Sequence, residues 1–262
     1  MVTADLYRLP PDVRHQLFLI YCGSELVGHV FAPQLDDCLV VRDLGLRAQP
    51  GLAECVVERL QATAERNHCR EMHCVVFLPI WPAFLRQGFV EQKRRSTMQL
   101  NLEQNAPPPV QGDTSPIMPS HAAAVGELLF AAYQGTADDD GEGLEQWTDH
   151  ARDVITGQYG HFLSGASSAT PVSPPFDSVS LFIDYAPGYA LLAHVATRRS
   201  LMNRGLARRL ITCSLGALAE MSYRACFLEV TLSNANALHL YRSVGFKEIG
   251  PQIVYGDKRF GH

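Results

Sequence analysis

The sequence predicts an α/β protein made of two related units, and three observations carry that expectation. Residues 191–245 read as strand, tight glycine turn, helix, strand and second helix. The N-terminal half repeats the same order of elements, as an internal duplication would. Between the halves, residues 105–119 hold Pro107-Pro108-Pro109, Pro116 and Pro119, the composition of a stiff linker. The expected units are therefore 1–104 and 120–262, joined by 105–119.

In chain order, β-prone runs at 16–20 and 26–31 flank Cys22-Gly23-Ser24-Glu25, a hairpin pattern. Asp36-Asp37 is a polar turn before an apolar strand at 38–44. Pro50 suits the first turn of a helix expected over 52–67. Residues 73–78 are apolar enough for a buried strand, 81–87 form a short helix, and strand material follows from Gly88-Phe89 to residue 102. Beyond the linker, a short strand at 115–118 precedes a helix at 121–133, marked by Val125, Leu128 and Leu129. Residues 138–142 are acidic and polar, hence a loop, and a second helix is expected over 144–155. Residues 164–175, rich in Ser, Ala and Pro, read as a mobile excursion. A hairpin through Ala186-Pro187-Gly188 joins strands at 178–185 and 189–196. The following helix is striped by Leu206, Leu210, Cys213, Ala217 and Met221.

Composition narrows the function classes. At 262 residues the chain holds one large domain or two ordinary ones, with 47% hydrophobic and 19% charged residues. A formal charge of −5 argues against general nucleic-acid binding, which depends on neutralising phosphates. No apolar run approaches the ~18 residues of a membrane span. Seven cysteines without Cys-x-x-Cys spacing, and no basic apolar leader, point to reduced thiols in a cytoplasmic protein. Cys69 and Cys74 lie near His68 and His73, but no second pair completes four ligands, so core packing is expected and no metal.

Gly205 and Ala207 leave a first helical turn almost bare of side chains. The unpaired N–H groups there, with the helix dipole, can receive a diphosphate, and Arg198, Arg199, Arg204, Arg208 and Arg209 surround the turn with positive charge. An ordinary helix start with a solvated basic face would look the same. Downstream stand the strand Phe227-Leu228-Glu229-Val230-Thr231 and the run from Asn234 through Ala237, Leu240 and Tyr241 to Gly245-Phe246. Here the chain resembles the GNAT family of acyl-CoA-dependent N-acetyltransferases. Arg204-Gly205-Leu206-Ala207 is similar to the second half of the family's pyrophosphate loop, and Asn234 to Phe246 are similar to its Asn-x-x-Ala-x-x-Leu-Tyr-x-x-x-Gly-Phe segment. Met202 departs from the family, which has Gln or Arg there.

The resemblance implies two GNAT-like units, each a mixed, mostly antiparallel sheet flanked by helices. Phe84 to Phe89 of the first half align with Tyr241 to Phe246, but phenylalanine replaces the tyrosine and no Arg-Gly-x-Ala turn is present. With few residues ahead of Gln16 for the fold's opening helices, the first half reads as truncated and catalytically silent. For the second, the resemblance implies acetyl-CoA as donor and direct transfer to a primary amine in a ternary complex. The donor's diphosphate falls to Arg204, Gly205, Leu206, Ala207 and Arg208. Its pantetheine arm falls to the backbone of His194, Val195 and Ala196, with His194 structural or lining, and its amide to Asn234, which helix capping would also explain. Tyr241 is the expected acid for the departing thiolate, though a packed tyrosine is the alternative. Glu229 is the expected base, directly or through water, at a separation from Tyr241 like that in ribosomal-protein N-terminal acetyltransferases; a salt bridge is the alternative. The acidic loop at 138–145 lies on the acceptor side, where it would draw a cationic amine or merely stand solvated. The acceptor, a small molecule or a peptide, cannot be read from the residues. A rival reading is a non-catalytic acyl-CoA sensor with a partner-binding surface.

Overall fold

The computed structural model describes residues 5–8, 17–107 and 114–261, and is built of both strands and helices. The chain opens with β1 (Asp5–Arg8), β2 (Leu17–Cys22), β3 (Glu25–Phe31), β4 (Gln34–Leu35), β5 (Cys38–Leu46), α1 (Leu52–Arg66), β6 (Glu71–Phe77), α2 (Trp81–Arg86) and β7 (Val90–Asn101). It continues through α3 (Leu102–Asn105), β8 (Ser115–Pro116), α4 (Ala122–Tyr133), α5 (Leu144–Ile155), β9 (Ser168–Thr170), β10 (Ser178–Ala186), β11 (Tyr189–Thr197), α6 (Leu206–Glu220), β12 (Ala225–Thr231), α7 (Ala235–Val244) and β13 (Lys247–Arg259).

The chain divides into Met1–Ser96 with Gly250–His262, and Thr97–Ile249. In the first unit β1, β2, β3 and β5 pair antiparallel in succession, β5 pairs parallel with β6, and β13 runs antiparallel to β6. α1 lays Leu52, Val56, Val57, Leu60 and Ala64 against this sheet, and Trp81, Phe84 and Phe89 close the same core. Val254 of β13 is fully buried there, which is why the last strand counts with the first unit. Gln16 and residues 108–113 of the expected linker lie outside the described residues. β1 is a strand that the sequence reading did not anticipate.

The second unit has β8, β9, β10 and β11 antiparallel in succession and β11 parallel to β12, with β7 beside β12. Helices cover both faces. Val179, Leu181, Ile183 and Ala196 pack with Val125, Leu129, Trp147 and Val154 of α4 and α5, while Phe182, Leu192, Leu228 and Val230 pack with Ile211, Leu215 and Leu218 of α6 and with Tyr241 of α7.

Two local expectations are corrected. Residues 164–175 are not a mobile excursion throughout, because Ser168–Thr170 forms β9 between β8 and β10, with Ala166 and Ala169 buried. Small side chains alternating there fit a strand packed under helices. The stripe on α6 is also rotated: Leu210, Ile211, Leu215 and Leu218 are buried, whereas Met221 is 44% exposed. α6 is apolar on more than one side, so spacing alone did not single out the packed face.

α4 and α5 approach most closely at Gly126, where an added Cβ would stand 2.5 Å from Thr148 Cα and 3.0 Å from its backbone nitrogen. Backbone cannot yield as a flexible side chain can. Gly126→Ala is expected to destabilise the protein by about 1–3 kcal/mol, the usual range for overpacking. A urea midpoint that stayed level or rose would show that the helices tolerate the methyl.

Candidate active site

The ladder between β11 and β12 is short. It pairs Tyr189 with Ala225, Ala190 with Cys226 and Leu191 with Phe227, and ends there although both strands continue, β11 to Thr197 and β12 to Thr231. Just past that point β11 carries a bulge: Leu181 pairs with His194 and Phe182 with Leu192, leaving Ala193 as the extra residue. The bulge places both Ala193 and His194 on the α4/α5 face, since Ala193 packs with that core and His194 meets His150 of α5. From Leu192 onward the β12-facing edge of β11 can pair with an extended ligand arm.

At the far end of β11, a turn leads into α6. Gly205 is its N-cap, with φ +79° and ψ +6°, a left-handed conformation that suits glycine. A Cβ there would meet nothing within 4 Å, so the space above the turn is open. Arg209 donates to the Gly205 carbonyl at 3.0 Å, and the N–H groups ahead of it belong to the helix's unpaired first turn. Arg204, Arg208 and Arg209 are exposed beside it. Arg208 donates to the carbonyl and hydroxyl of Ser243, Arg198 pairs with Asp177 at 3.1 Å, and Arg199 reaches the Gln134 carbonyl.

Tyr241 stands on α7 at 7% exposure, and Gly245, at φ +110°, ends the helix one turn later. Burial pushes the phenol's pKa well above its ordinary value, and Tyr133, Asp138 and Cys226 push the same way. It therefore keeps its proton. Asn234 is the N-cap of α7: its side-chain oxygen accepts from Ala237 at 3.1 Å, and its amide donates to Asp138 at 3.4 Å. Thr231 donates to the other Asp138 oxygen at 2.5 Å. The acidic loop thus closes on the end of β12 through Asp138. Asp139 folds the loop on itself by accepting from Gly135 and Gly141, which hold its carboxyl below the ordinary value.

Glu229 is exposed, on the face of β12 opposite the buried Leu228 and Val230. Continuing the ladder's register places it level with the Ala193 bulge, so Glu229 and His194 flank the widening gap on the same face. Sequence reasoning missed what stands behind His194. Its Nε2 lies 2.8 Å from Nε2 of His150, and the two rings sit among Tyr133, Trp147 and Tyr159. Tyr133 also donates to the Val195 carbonyl at 3.3 Å. His150 follows Trp147 by one helical turn, a spacing readable in the sequence, but its partner on β11 is not.

The first unit offers an instructive contrast. Gly51 caps α1, which puts Pro50 ahead of the first turn expected to hold it, and Gly51 too is left-handed, at φ +77°. The backbone turn absent from the motif comparison is therefore present in the fold. Its charge differs: Glu54 follows Gly51 as Arg208 follows Gly205, and Glu54 pairs with Arg86. Phe84 is buried where the second unit has Tyr241. Elsewhere in this unit Cys38, Glu71 and His73 bring ligand-type atoms within 4.8 Å of one another. His73 pairs with Glu71 at 3.4 Å, Arg259 approaches Glu71 at 3.9 Å, and burial raises the Cys38 thiol to about 11. None of the seven cysteines is joined in a disulfide, and among the described residues no helix is long and apolar enough to cross a membrane.

The site thus combines a parallel strand pair that opens past three residues, a glycine-capped helix and a buried tyrosine on α7. Residues 125–246 match the model of the acetyltransferase (GNAT) family. Nothing matches among curated proteins. Among solved structures, the chain is similar to a GCN5-related N-acetyltransferase from Sphaerobacter thermophilus, at 17% identity and TM-score 0.72 over 94% of this chain and 82% of that one. It is also similar to a tandem GNAT protein from the clavulanic acid biosynthesis pathway, at 16% identity and TM-score 0.62 over 97% of this chain and 86% of that one. A third is a GCN5-related N-acetyltransferase from Kribbella flavida, at 14% identity and TM-score 0.58, covering 91% and 90%. At such identities the likeness is one of fold, and it extends through the N-terminal unit as well.

Proposed function

We propose that the C-terminal unit transfers an acetyl group from acetyl-CoA to a primary amine, both bound at once. The observation that carries this reading is the end of the β11/β12 ladder at Leu191 and Phe227, with the bare left-handed turn of Gly205 beyond it. That turn fits a diphosphate: its backbone donors are unpaired by geometry, and no side chain fills the space a Cβ would take. Gly205, Leu206 and Ala207 would hold the anion by their N–H groups, with Arg204 and Arg208 adding charge. The backbone of His194, Val195 and Ala196 would pair with the pantetheine arm, where the Val195 carbonyl exchanges its long bond from Tyr133. Asn234 caps α7 and orients Asp138, which accounts for both ends of its side chain. When bound, the donor supplies an acetyl group activated as a thioester.

The chain's own side chains supply the rest. Tyr241 holds a proton at its hydroxyl in an apolar setting, suited to donation toward a leaving sulfur. Glu229 would meet the acceptor's ammonium in the gap and is one candidate for its proton, directly or through water, with His194 across the gap the other. The N-terminal unit, with Glu54 on its turn and Phe84 in place of the phenol, binds no acyl-CoA in this reading.

Incubating the protein with acetyl-CoA and a panel of peptides, polyamines, aminoglycosides and small amino metabolites, while following thiol release, tests this directly. Release that depends on one amine class is expected. No release with any class, in a protein that binds acetyl-CoA, would sink the amine assignment.

A further inference from the structure

Resting on that transferase reading, we propose that the His150–His194 imidazole pair, rather than Glu229, is the group that takes the acceptor's ammonium proton. The pair is built from two elements distant in sequence: α5 presents His150, and the bulge of β11 turns His194 toward it, Nε2 to Nε2 at 2.8 Å. One of those nitrogens must donate and the other accept, so a neutral pair holds one proton in the shared bond. Of the two Nδ1 atoms, one then carries hydrogen and the other does not. Proton uptake converts that second Nδ1 to N–H, and the shared hydrogen bond becomes charge-assisted, which stabilises the imidazolium. A third and fourth ring proton together would set two N–H groups against each other, so the pair takes up one proton only.

The position suits the task. His194 adjoins the point where β11 and β12 part, on the face that carries Glu229 across the gap. The surrounding groups are the neutral rings of Tyr133 on α4, Trp147 on α5 and Tyr159 beyond it, with Glu142 before α5 and Asp153 on it supplying negative charge. Burial holds His150 below its ordinary value against the pull of Glu142 and Asp153. An imidazole is also the better-matched base: an ordinary carboxylate lies ~2 pKa units lower, so an ammonium proton rests on it less readily. Proton balance is simple. The ammonium loses H⁺ to the bare Nδ1, the freed amine nitrogen bonds the acetyl carbon as the carbon–sulfur bond breaks, and Tyr241 donates toward the sulfur. In the tautomer in which His194 donates the shared proton, the accepting Nδ1 is its own, which makes His194 the catalytic residue and His150 a positioning residue.

The test compares pH profiles of kcat in wild type, His194→Gln, His150→Gln and Glu229→Gln, with the amine found by the screen. Ring-nitrogen NMR of histidine-labelled wild type runs alongside. Both histidine variants are expected to lose the rising limb that the wild type shows on the acid side of neutral, and Glu229→Gln to keep it with a raised KM for the amine. The ring nitrogens should show one proton taken up by a coupled pair. An unchanged limb in His194→Gln, or two rings titrating independently, overturns the proposal while leaving the transferase reading intact. Loss of the limb in Glu229→Gln alone overturns it in favour of the carboxylate. No transfer by the wild type to any amine would take both readings down together.

Discussion

Gly205→Asp is expected to weaken acetyl-CoA binding about 100-fold, roughly 2.7 kcal/mol, in a protein that still folds. A carboxylate ~4 Å from a phosphate near a protein surface is repelled by up to ~4 kcal/mol, and solvent screening reduces that figure. Space is not the obstacle, since nothing lies within 4 Å of a Cβ at this position. The cost comes from charge and from the left-handed backbone, which strains most residues but Asn and Asp least. Gly205→Asn therefore isolates the charge and should lose far less. Gly51→Asp should leave the affinity unchanged, although its backbone conformation matches that of Gly205. Calorimetry on the three variants decides the matter, and wild-type affinity in a folded Gly205→Asp protein would remove this turn from the donor site.

Tyr241→Phe is expected to bind acetyl-CoA normally and to lose about 10²- to 10⁴-fold in kcat, the range for one general acid. Only an oxygen and its proton are removed, and the ring keeps its edge-to-face contact with Phe246 at 6.0 Å. The direction of the phenol's shift adds a second expectation. Burial, with Tyr133, Asp138 and Cys226, raises its pKa, so the proton stays in place as pH rises past the ordinary phenol value near 10. Wild-type activity should accordingly show no falling limb from this group below about pH 10. Full turnover by the phenylalanine variant would place the thiolate's proton source elsewhere.

The motif residues were legible because their constraints are local. Gly205 needs a left-handed cap, Asn234 caps within three residues, and Gly245 ends α7 one turn after Tyr241. Strand and helix order followed from apolar periodicity for the same reason, as α5 at Leu144–Ile155 shows. What escaped depends on partners far along the chain. The contact of His194 with His150 exists only once α5 packs against β11, and the bonds of Asp138 only once Thr231 and Asn234 close on it. Gly51 misled in another way: its neighbours lack the arginine pattern of Gly205, yet the backbone needs glycine there equally. Residues 164–175 looked loop-like by composition, and their short strand is fixed by β8 and β10 on either side.

One consequence of the unit boundaries concerns the protein while it is being made. The first unit is completed by Gly250–His262, and β6 obtains its antiparallel neighbour only when β13 arrives. Residues from Thr97 to Ile249 leave the ribosome in between, which at ~5–20 residues per second takes on the order of 10–30 s. Throughout that interval the strand Glu71–Phe77 has an unpaired edge of the kind that pairs with foreign chains. A nascent chain released before residue 250 should be an aggregation-prone species and a chaperone client, even though every residue that matches the family model has already been synthesised.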